Sequence, residues 1–292
     1  AKKEPDPIPA IHTEGELHRA LGLDYIEPEL REDRGEIQAA EKHQLPDLVK
    51  VENLRGTFHN HTTASDGRNT LQEMADAAQE LGLQYLGIAD HSKSSFQAHG
   101  LEADRLLKQI EEIKALNETF DGHFKIFSGI ECDIMKDGTL DFPDEILSRL
   151  DYVVASVHNA FSLPQAQMTD RIIRAISNRH VTFLGHLTGR LLLGRPGYEV
   201  DVPAVIEAAA ETGTIIELNA NPRRLDMDWR WWPLAKEKGV KCAINPDAHT
   251  TGTLQFLYFG VGIARKGWLT REDVVNCLPL GKIEDVLKAK RR

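Results

Sequence analysis

The stretch QYLGIADH, residues 84–91, is a near-continuous apolar run that closes on an aspartate and a histidine. A run of this build reads as a strand buried on both faces, because a strand with one wet face would alternate apolar with polar residues. Six further stretches are strand candidates, most of them of the same build: TFHNH (57–61), FKIFSGIE (124–131), DYVVASVH (151–158), VTFLGH (181–186), TIIELN (214–219) and KCAINPDAH (241–249). Between them lie segments with apolar residues at helical spacing: NTLQEMADAAQELG (69–82), EADRLLKQIEEIKALNETF (102–120), FPDEILSRL (142–150), TDRIIRAISNR (169–179), VPAVIEAAAETG (202–213) and DWRWWPLAKEKG (228–239). Gly82, Gly213 and Gly239 stand where a C-capping glycine is expected. The tail TREDVVNCLPLGKIEDVLKAKRR (270–292) reads as two more helices, the first capped by Thr270 with Asp273 three positions on. Alternating βα units around a parallel sheet predict an α/β protein, a distorted TIM-like (β/α) barrel with seven strands.

Composition sets the frame. A chain of 292 residues, 41% hydrophobic, can bury one barrel-sized core. Residues 1–55 are charged and turn-rich and read as an arm or linker with one or two short helices; residues 56–292 form the barrel domain. The chain opens on Ala1 in the Pro-bearing AKKEPDPIPA, which suggests a piece of a larger protein. That segment lacks a signal-peptide core, and no apolar run approaches the roughly 18 residues of a membrane span, so a cytoplasmic address without membrane contact is expected. Cys132, Cys242 and Cys277 are odd in number and have no C-x-x-C spacing, so they read as core or reduced thiols. A formal net charge of −10 argues against broad coating of nucleic acid, although the charge local to a cleft decides such binding.

The polar residues that end the strands carry the chemistry. His59 and His61 end the first, Asp90 and His91 the second, Glu131 the third, His158 the fourth, His186 the fifth, Asn219 the sixth, and Asp247 and His249 the seventh. In parallel α/β barrels the loops at the C-terminal mouth converge on one cavity. A lone histidine after a strand is usually a solvated residue; six histidines, with Asp66, Glu131 and Asp247 beside them, are too many for accident. His12, His18, His43, His99, His123 and His180 fall in the arm, in loops or at helix ends and carry no such reading. Neutral nitrogens mixed with anionic oxygens and no sulfur suit zinc, manganese or iron at a catalytic site. Nine candidate ligands exceed what one ion uses, so a multinuclear site is expected. Period-two geometry would turn His59 and His61 to one face and Asn60 away.

FHNHTTASDG, IADHS, GIECDI, ASVH, LGH and NPDAH closely resemble the nine-residue metal-binding pattern of the PHP (polymerase and histidinol phosphatase) superfamily. IEPELREDRGEIQAA, LPDLVKVENLRGTFHNHT, HLTGRLLLGRPGYEVD and ELNANPRRLDMDW resemble the PHP domain and preceding arm of bacterial family X DNA polymerases. The resemblance implies the PHP fold, preceding polymerase domains in the parent chain, and three divalent ions, Zn and/or Mn, with Fe also compatible. His59, His61, Glu131 and Asp247 would hold the first ion; Glu131 would bridge to a second held by His158 and His186; Asp66, His91 and His249 would hold the third.

What the resemblance implies is metal-dependent 3′–5′ exonuclease action on DNA, single-stranded or at 3′ ends, as in base-excision repair. Lys93, Arg190, Arg195, Arg223 and Arg224 follow strand ends and are candidate phosphate contacts, Arg190 foremost because GHLTGR places it four residues after a ligand. A phosphomonoesterase of the histidinol phosphatase type would use the same ions on a small substrate, and a structural or DNA-tethering module is the third reading. Trp229, Trp231 and Trp232 with Phe96 could stack on bases, but WRWW reads first as helix packing. Nothing in the sequence sets the oligomeric state.

Overall fold

A computed structural model of the protein describes residues 11–290; the segment 1–10 and the last two arginines of the tail, Arg291 and Arg292, lie outside the described residues. The chain forms two compact units, meeting in sequence between Asp47 and Leu48. In the first, helix α1 (Glu14–Ala20) starts in a capping box: Thr13 accepts from the Glu16 N–H and the Glu16 carboxylate reaches back to the Thr13 N–H. A second short helix, α2 (Glu36–Glu41), follows a turn in which the buried Glu36 carboxylate accepts from the N–H groups of Asp33 and Arg34. The second unit takes in Leu48–Leu54 as well, because Val49 N–H bonds the Leu269 carbonyl at 3.0 Å.

The second unit is an α/β fold of parallel strands. Strands β1 (Gly56–Thr57), β2 (Tyr85–Ile88) and β3 (Lys125–Ser128) make one sheet. Strands β4 (Glu131–Asp133), β5 (Val154–Ser156), β6 (Phe183–Leu184), β7 (Ile215–Asn219) and β8 (Cys242–Asn245) make another, in chain order. All seven predicted strand segments are strands, but FKIFSGIE is two, broken at Gly129–Ile130 and shared between the sheets. Single parallel bridges link the two sheets at both seams, Asn60 to Ala248 and His91 to Glu131. The first strand is also shorter than predicted: after Thr57 the chain leaves regular pairing, so His59 and His61 lie on an irregular segment bridged at Asn60 to Ala248, just past β8.

The alternation along each strand sorts two cores. Phe58, Tyr85, Phe127, Tyr152, Val154, Phe183, Ile215 and Ala243 pack together inside the ring, with Val275, Ile283 and Leu287. Their neighbours Leu86, Ile88, Ile126, Val153, Ile216 and Ile244 face the surrounding helices. Tyr152 fills the interior; its hydroxyl donates to the carbonyls of Phe58 and Ile88. A Cβ on Gly129 would fall 2.3 Å from its ring, and one on Gly87 would fall 2.6 Å from its hydroxyl. The interior is therefore a packed plug on which the rim is built.

The helices of the second unit are α3 (Leu71–Glu80), α4 (Ala103–Asn117), α5 (Asp144–Leu147), α6 (Gln165–Ile176), α7 (Val202–Thr212), α8 (Trp232–Glu237), α9 (Leu257–Lys266) and α10 (Leu280–Ala289). Gly82, Gly213 and Gly239 have the left-handed φ their capping position requires, between 69° and 78°. The tail differs from prediction. Thr270 and Asp273 do pair, yet they close a turn and not a helix, because Cys242 N–H takes the Asp273 carbonyl and Val274 bridges to β8. That pairing draws the backbone into the sheet edge, leaving a 3-10 turn before α10. Helix α9 was not anticipated; its Gly260 packs where a Cβ would lie 2.5 Å from Ile244. All three cysteines are buried and free. No helix among the described residues is long and apolar enough to cross a membrane.

Candidate metal centre

Glu131, the first residue of β4, sits at the seam between the sheets, its N–H bonded to the Asp90 carbonyl at 3.0 Å. It is 1% exposed, so its carboxylate must find partners within the protein. Nitrogens of five histidines surround it: His186 Nε2 at 2.9 Å, His158 Nε2 at 3.2 Å and His59 Nε2 at 3.3 Å from Oε1, His91 Nδ1 at 2.9 Å and His61 Nε2 at 3.8 Å from Oε2. Asp247 stands 3.1 Å from His61 Nε2 and 3.8 Å from His59 Nε2. Its φ of 52° is in the left-handed region, an uncommon conformation for a side-chain-bearing residue and one that clusters at functional sites. Asp66 stands 3.3 Å from His249 Nε2, 3.6 Å from His91 Nε2 and 3.9 Å from His61 Nδ1. The nine candidate ligands thus lie within one contiguous cluster.

The cluster resolves into three groups whose ligand atoms lie within 4.8 Å of one another: His59, His61 and Asp247; His91, Glu131 and His158; His61, Asp66, His91 and His249. His61 and His91 each serve two groups, where the resemblance gave each one ion; His186 joins through Glu131 alone. The side chains fit bound cations. Nε2 of His59, Nδ1 of His61 and Nδ1 of His91 face the cluster and are buried without an aligned hydrogen-bond partner, even where a carboxylate oxygen is near. Lone pairs of nitrogen and oxygen crowding one space without hydrogen-bond alignment call for positive charge between them.

Protons are held unevenly across the cluster. The His61 ring stacks 4.2 Å from His249 and 4.6 Å from His91, and burial together with those two neighbours pushes its pKa down to about 4. Burial resists charging His158 and His249 too, but Glu131 and Asp133 raise the first to about 10, and Asp66 and Asp247 raise the second to about 9. Against their own burial, Glu131 and Asp247 are held well below the usual carboxylate range, in each case with His59 the leading opposing influence. Burial likewise works against Asp66, which the His249 hydrogen bond and the nearby rings bring to about 2. The pocket is anionic at heart and rimmed by imidazole.

Three buried carboxylates behind the cluster were not picked out as site residues. Asp90 accepts from the Thr62 N–H and hydroxyl, from Ser65 and from Gln109, which fixes the loop that carries Asp66. Asp133 accepts from His158 Nδ1 and from the Ser95 hydroxyl. Glu217 takes His59 Nδ1 at 2.6 Å. A carboxylate behind a ligand histidine sets which ring nitrogen carries the proton and turns the other toward the metal. The signal existed: Asp133 and Glu217 are each two residues from a residue already noted, Glu131 and Asn219, and period two puts such pairs on one face.

Of the predicted phosphate contacts, Arg224 faces the cluster, its Nε 3.4 Å from Asp247 Oδ2. Arg190 is committed to its own loops, donating to the carbonyls of Arg224 and Leu225 and to Asp228 Oδ2. Lys93 lies over the Phe142 ring and Arg195 over the Phe161 ring, both exposed, as is Arg223. Leu192 N–H bonds the Arg223 carbonyl, so the loops after β6 and β7 form one stitched wall. Trp232 is fully buried and Trp231 packs on the core, as helix packing requires; Phe96 is 86% exposed on the loop that leaves His91.

With this geometry in hand, comparison with known proteins is specific. A model of the PHP domain matches residues 57–221. "DNA polymerase/3'-5' exonuclease PolX" of Bacillus subtilis is 41% identical over 98% of the chain, which spans only half the length of that relative. A "Probable phosphatase" of Thermoanaerobacter is 33% identical over 80% of the chain and 94% of its own. A histidinol phosphate phosphatase structure from Lactococcus lactis, solved with zinc, L-histidinol and phosphate, shares the fold with a TM-score of 0.50 at 15% identity, covering 72% of this chain and 93% of that one. The family match takes in five of the six strand ends that carry candidate ligands, and the Bacillus subtilis relative extends through the sixth; the chain belongs to the PHP domain family.

Proposed function

We propose that this PHP-family phosphoesterase is a metal-dependent 3′–5′ exonuclease that acts on DNA, single-stranded or at 3′ ends, in DNA repair. The observation that carries it is Glu131, a buried carboxylate ringed by five histidine nitrogens at 2.9–3.8 Å. His59, His61, Asp66, His91, Glu131, His158, His186, Asp247 and His249 would hold up to three divalent ions, zinc or manganese, with iron compatible with the same donor set. When bound, these supply charge that offsets the negative charge developing on the phosphoryl group. The chain's own contributions are positional. Asp90 holds Asp66 in place, Asp133 and Glu217 orient His158 and His59, and Arg224 is the cation nearest the cluster, where its guanidinium can grip a phosphoryl oxygen. Packing of Tyr152 and Phe58 beneath the rim keeps that geometry rigid and dry.

Support for DNA over a small ester comes from the 41% identity to a relative named as a polymerase and exonuclease, extending through the arm and the 189–197 loop. By the same comparison, polymerase domains in a longer parent protein are the proposed partners. The competing reading, a phosphomonoesterase of the histidinol phosphatase type, draws on the phosphatase relative that the chain covers almost end to end. Incubating the protein with 3′-labelled and 5′-labelled single-stranded DNA, and separately with histidinol phosphate, in manganese decides between them. Stepwise loss of nucleotides from the 3′ end is expected; phosphate release from histidinol phosphate alone would overturn the DNA reading.

A further inference from the structure

Glu217 is on β7 inside the ring, fully buried, and both its oxygens are used twice. Oε2 takes His59 Nδ1 at 2.6 Å and the Asn245 amide at 3.0 Å. Oε1 takes the backbone N–H of His186 at 3.0 Å and the Asn219 amide at 3.0 Å. The orientation of these partners is not free. Asn245 Oδ1 accepts from the Phe58 N–H at 3.0 Å, which leaves its NH2 to face Glu217. Asn219 Oδ1 accepts from the Asn221 N–H at 3.1 Å, which turns its NH2 to Glu217 and to Asp247 Oδ2. A backbone N–H is a donor only. Three of the four partners are therefore fixed donors, and the fourth contact, to His59, must be N–H to carboxylate as well. With its proton on Nδ1, His59 presents the Nε2 lone pair to Glu131 and Asp247, 3.3 and 3.8 Å away.

We propose that Glu217 is an obligate four-fold acceptor that positions His59, the His186 backbone and, through Asn219, Asp247, and that it thereby sets the tautomer in which His59 can bind a cation. The inference deepens the proposed metal site and rests on it. It makes the isosteric amide harmful in a specific way. In Glu217→Gln the new NH2 must replace one acceptor pair. The His186 N–H cannot turn away, so the amide faces His59 and Asn245; His59 then answers with a bare Nδ1 and places its proton on Nε2, against the cation. Glu217→Asp keeps four acceptor sites on a shorter stem and retains the correct tautomer.

Zinc affinity of the metal-free protein, measured by competition with a chromophoric chelator, tests this together with proton–nitrogen correlation spectra of the zinc-loaded protein, His59 being assigned by its loss in His59→Gln. Expected are an Nδ1-bound proton on His59 in the wild type, weakening of at least one zinc site in Glu217→Gln by about 10- to 100-fold, and partial recovery in Glu217→Asp. Unchanged zinc affinity in Glu217→Gln, or an Nε2-bound proton on wild-type His59, overturns the role of Glu217 while leaving the metal site standing. Absence of zinc from the wild type overturns both. Should Glu217→Gln not fold, the wild-type proton position alone decides.

Discussion

Glu131 and His186 meet at 2.9 Å although one opens β4 and the other ends the strand segment of β6, 55 residues later. Both side chains point into the candidate metal site, where the buried carboxylate meets a ring nitrogen. Replacing Glu131 by Gln removes the anion from the centre of the cluster with little change in volume. Metal content should fall by at least one ion and DNA hydrolysis by more than the roughly 10- to 100-fold typical of an outer partner. Elemental analysis of the dialysed variant beside the wild type checks the first, and gel-resolved digestion the second.

Metal removal should also destabilise the fold. Glu131, Asp247 and Glu217 are buried, and the exposed Asp66 stands beside them in one cluster. Without cations their mutual repulsion is opposed by whatever protons the rings hold, by Arg224 beside Asp247 and by the amide donors around Glu217. Melting in a chelator should occur at lower temperature than melting in micromolar zinc or manganese. Free metal at 100 times its dissociation constant adds about 2.7 kcal/mol per site to the stability of the folded state. Identical melting curves in chelator and metal would count against bound ions.

Arg190 and Arg224 should separate cleanly. Arg190→Ala leaves Asp228 and the carbonyls of Arg224 and Leu225 short of donors, which costs about 1–3 kcal/mol and lowers the melting temperature. Arg224→Ala should leave melting nearly unchanged and reduce kcat/KM by about 10- to 100-fold, the worth of a charge-assisted hydrogen bond to phosphate. Burial alone would raise the Asp228 carboxyl, but hydrogen bonds from Arg230 and Arg190 hold it below its usual 3.8. Its contribution is then full above that usual value and is lost as the pH falls through the lower folded value. Thermal melts from pH 6 down to pH 2 should therefore narrow the gap between the wild type and Arg190→Ala without closing it, because the Arg224 and Leu225 carbonyls stay short of donors at every pH.

Gly129 tests the plug beneath the rim. A Cβ there meets the Tyr152 ring at 2.3 Å, and that ring cannot retreat from the interior it fills. Gly129→Ala should cost about 1–3 kcal/mol by overpacking and lower the melting temperature by several degrees. Because Tyr152 also binds the Phe58 carbonyl next to His59, loss of metal affinity should accompany it. Differential scanning calorimetry with and without zinc reads both effects.

Strand-end histidines and carboxylates were legible in the sequence because buried parallel strands announce themselves as apolar runs, and the polar residue that terminates each run has to lie at the rim. His158 and His186 follow from this directly. What sequence could not show is where pairing stops. Helical spacing in TREDVVNC says nothing of the open edge of β8 that captures Val274, and FKIFSGIE does not disclose the break that places Glu131 on a seam. Arg190 illustrates a second limit. Its spacing from His186 is right for a phosphate contact, but its nearest acceptors turn out to be carbonyls of a loop more than 30 positions away, a competition that only the fold reveals.

Anomalous diffraction from crystals grown with zinc or manganese tests the central claim most directly. The account predicts density peaks among the His59, Asp66, Glu131, His158 and Asp247 side chains, the strongest within coordinating distance of Glu131. Crystals that diffract well under those conditions and show no anomalous peak beside Glu131 would contradict it.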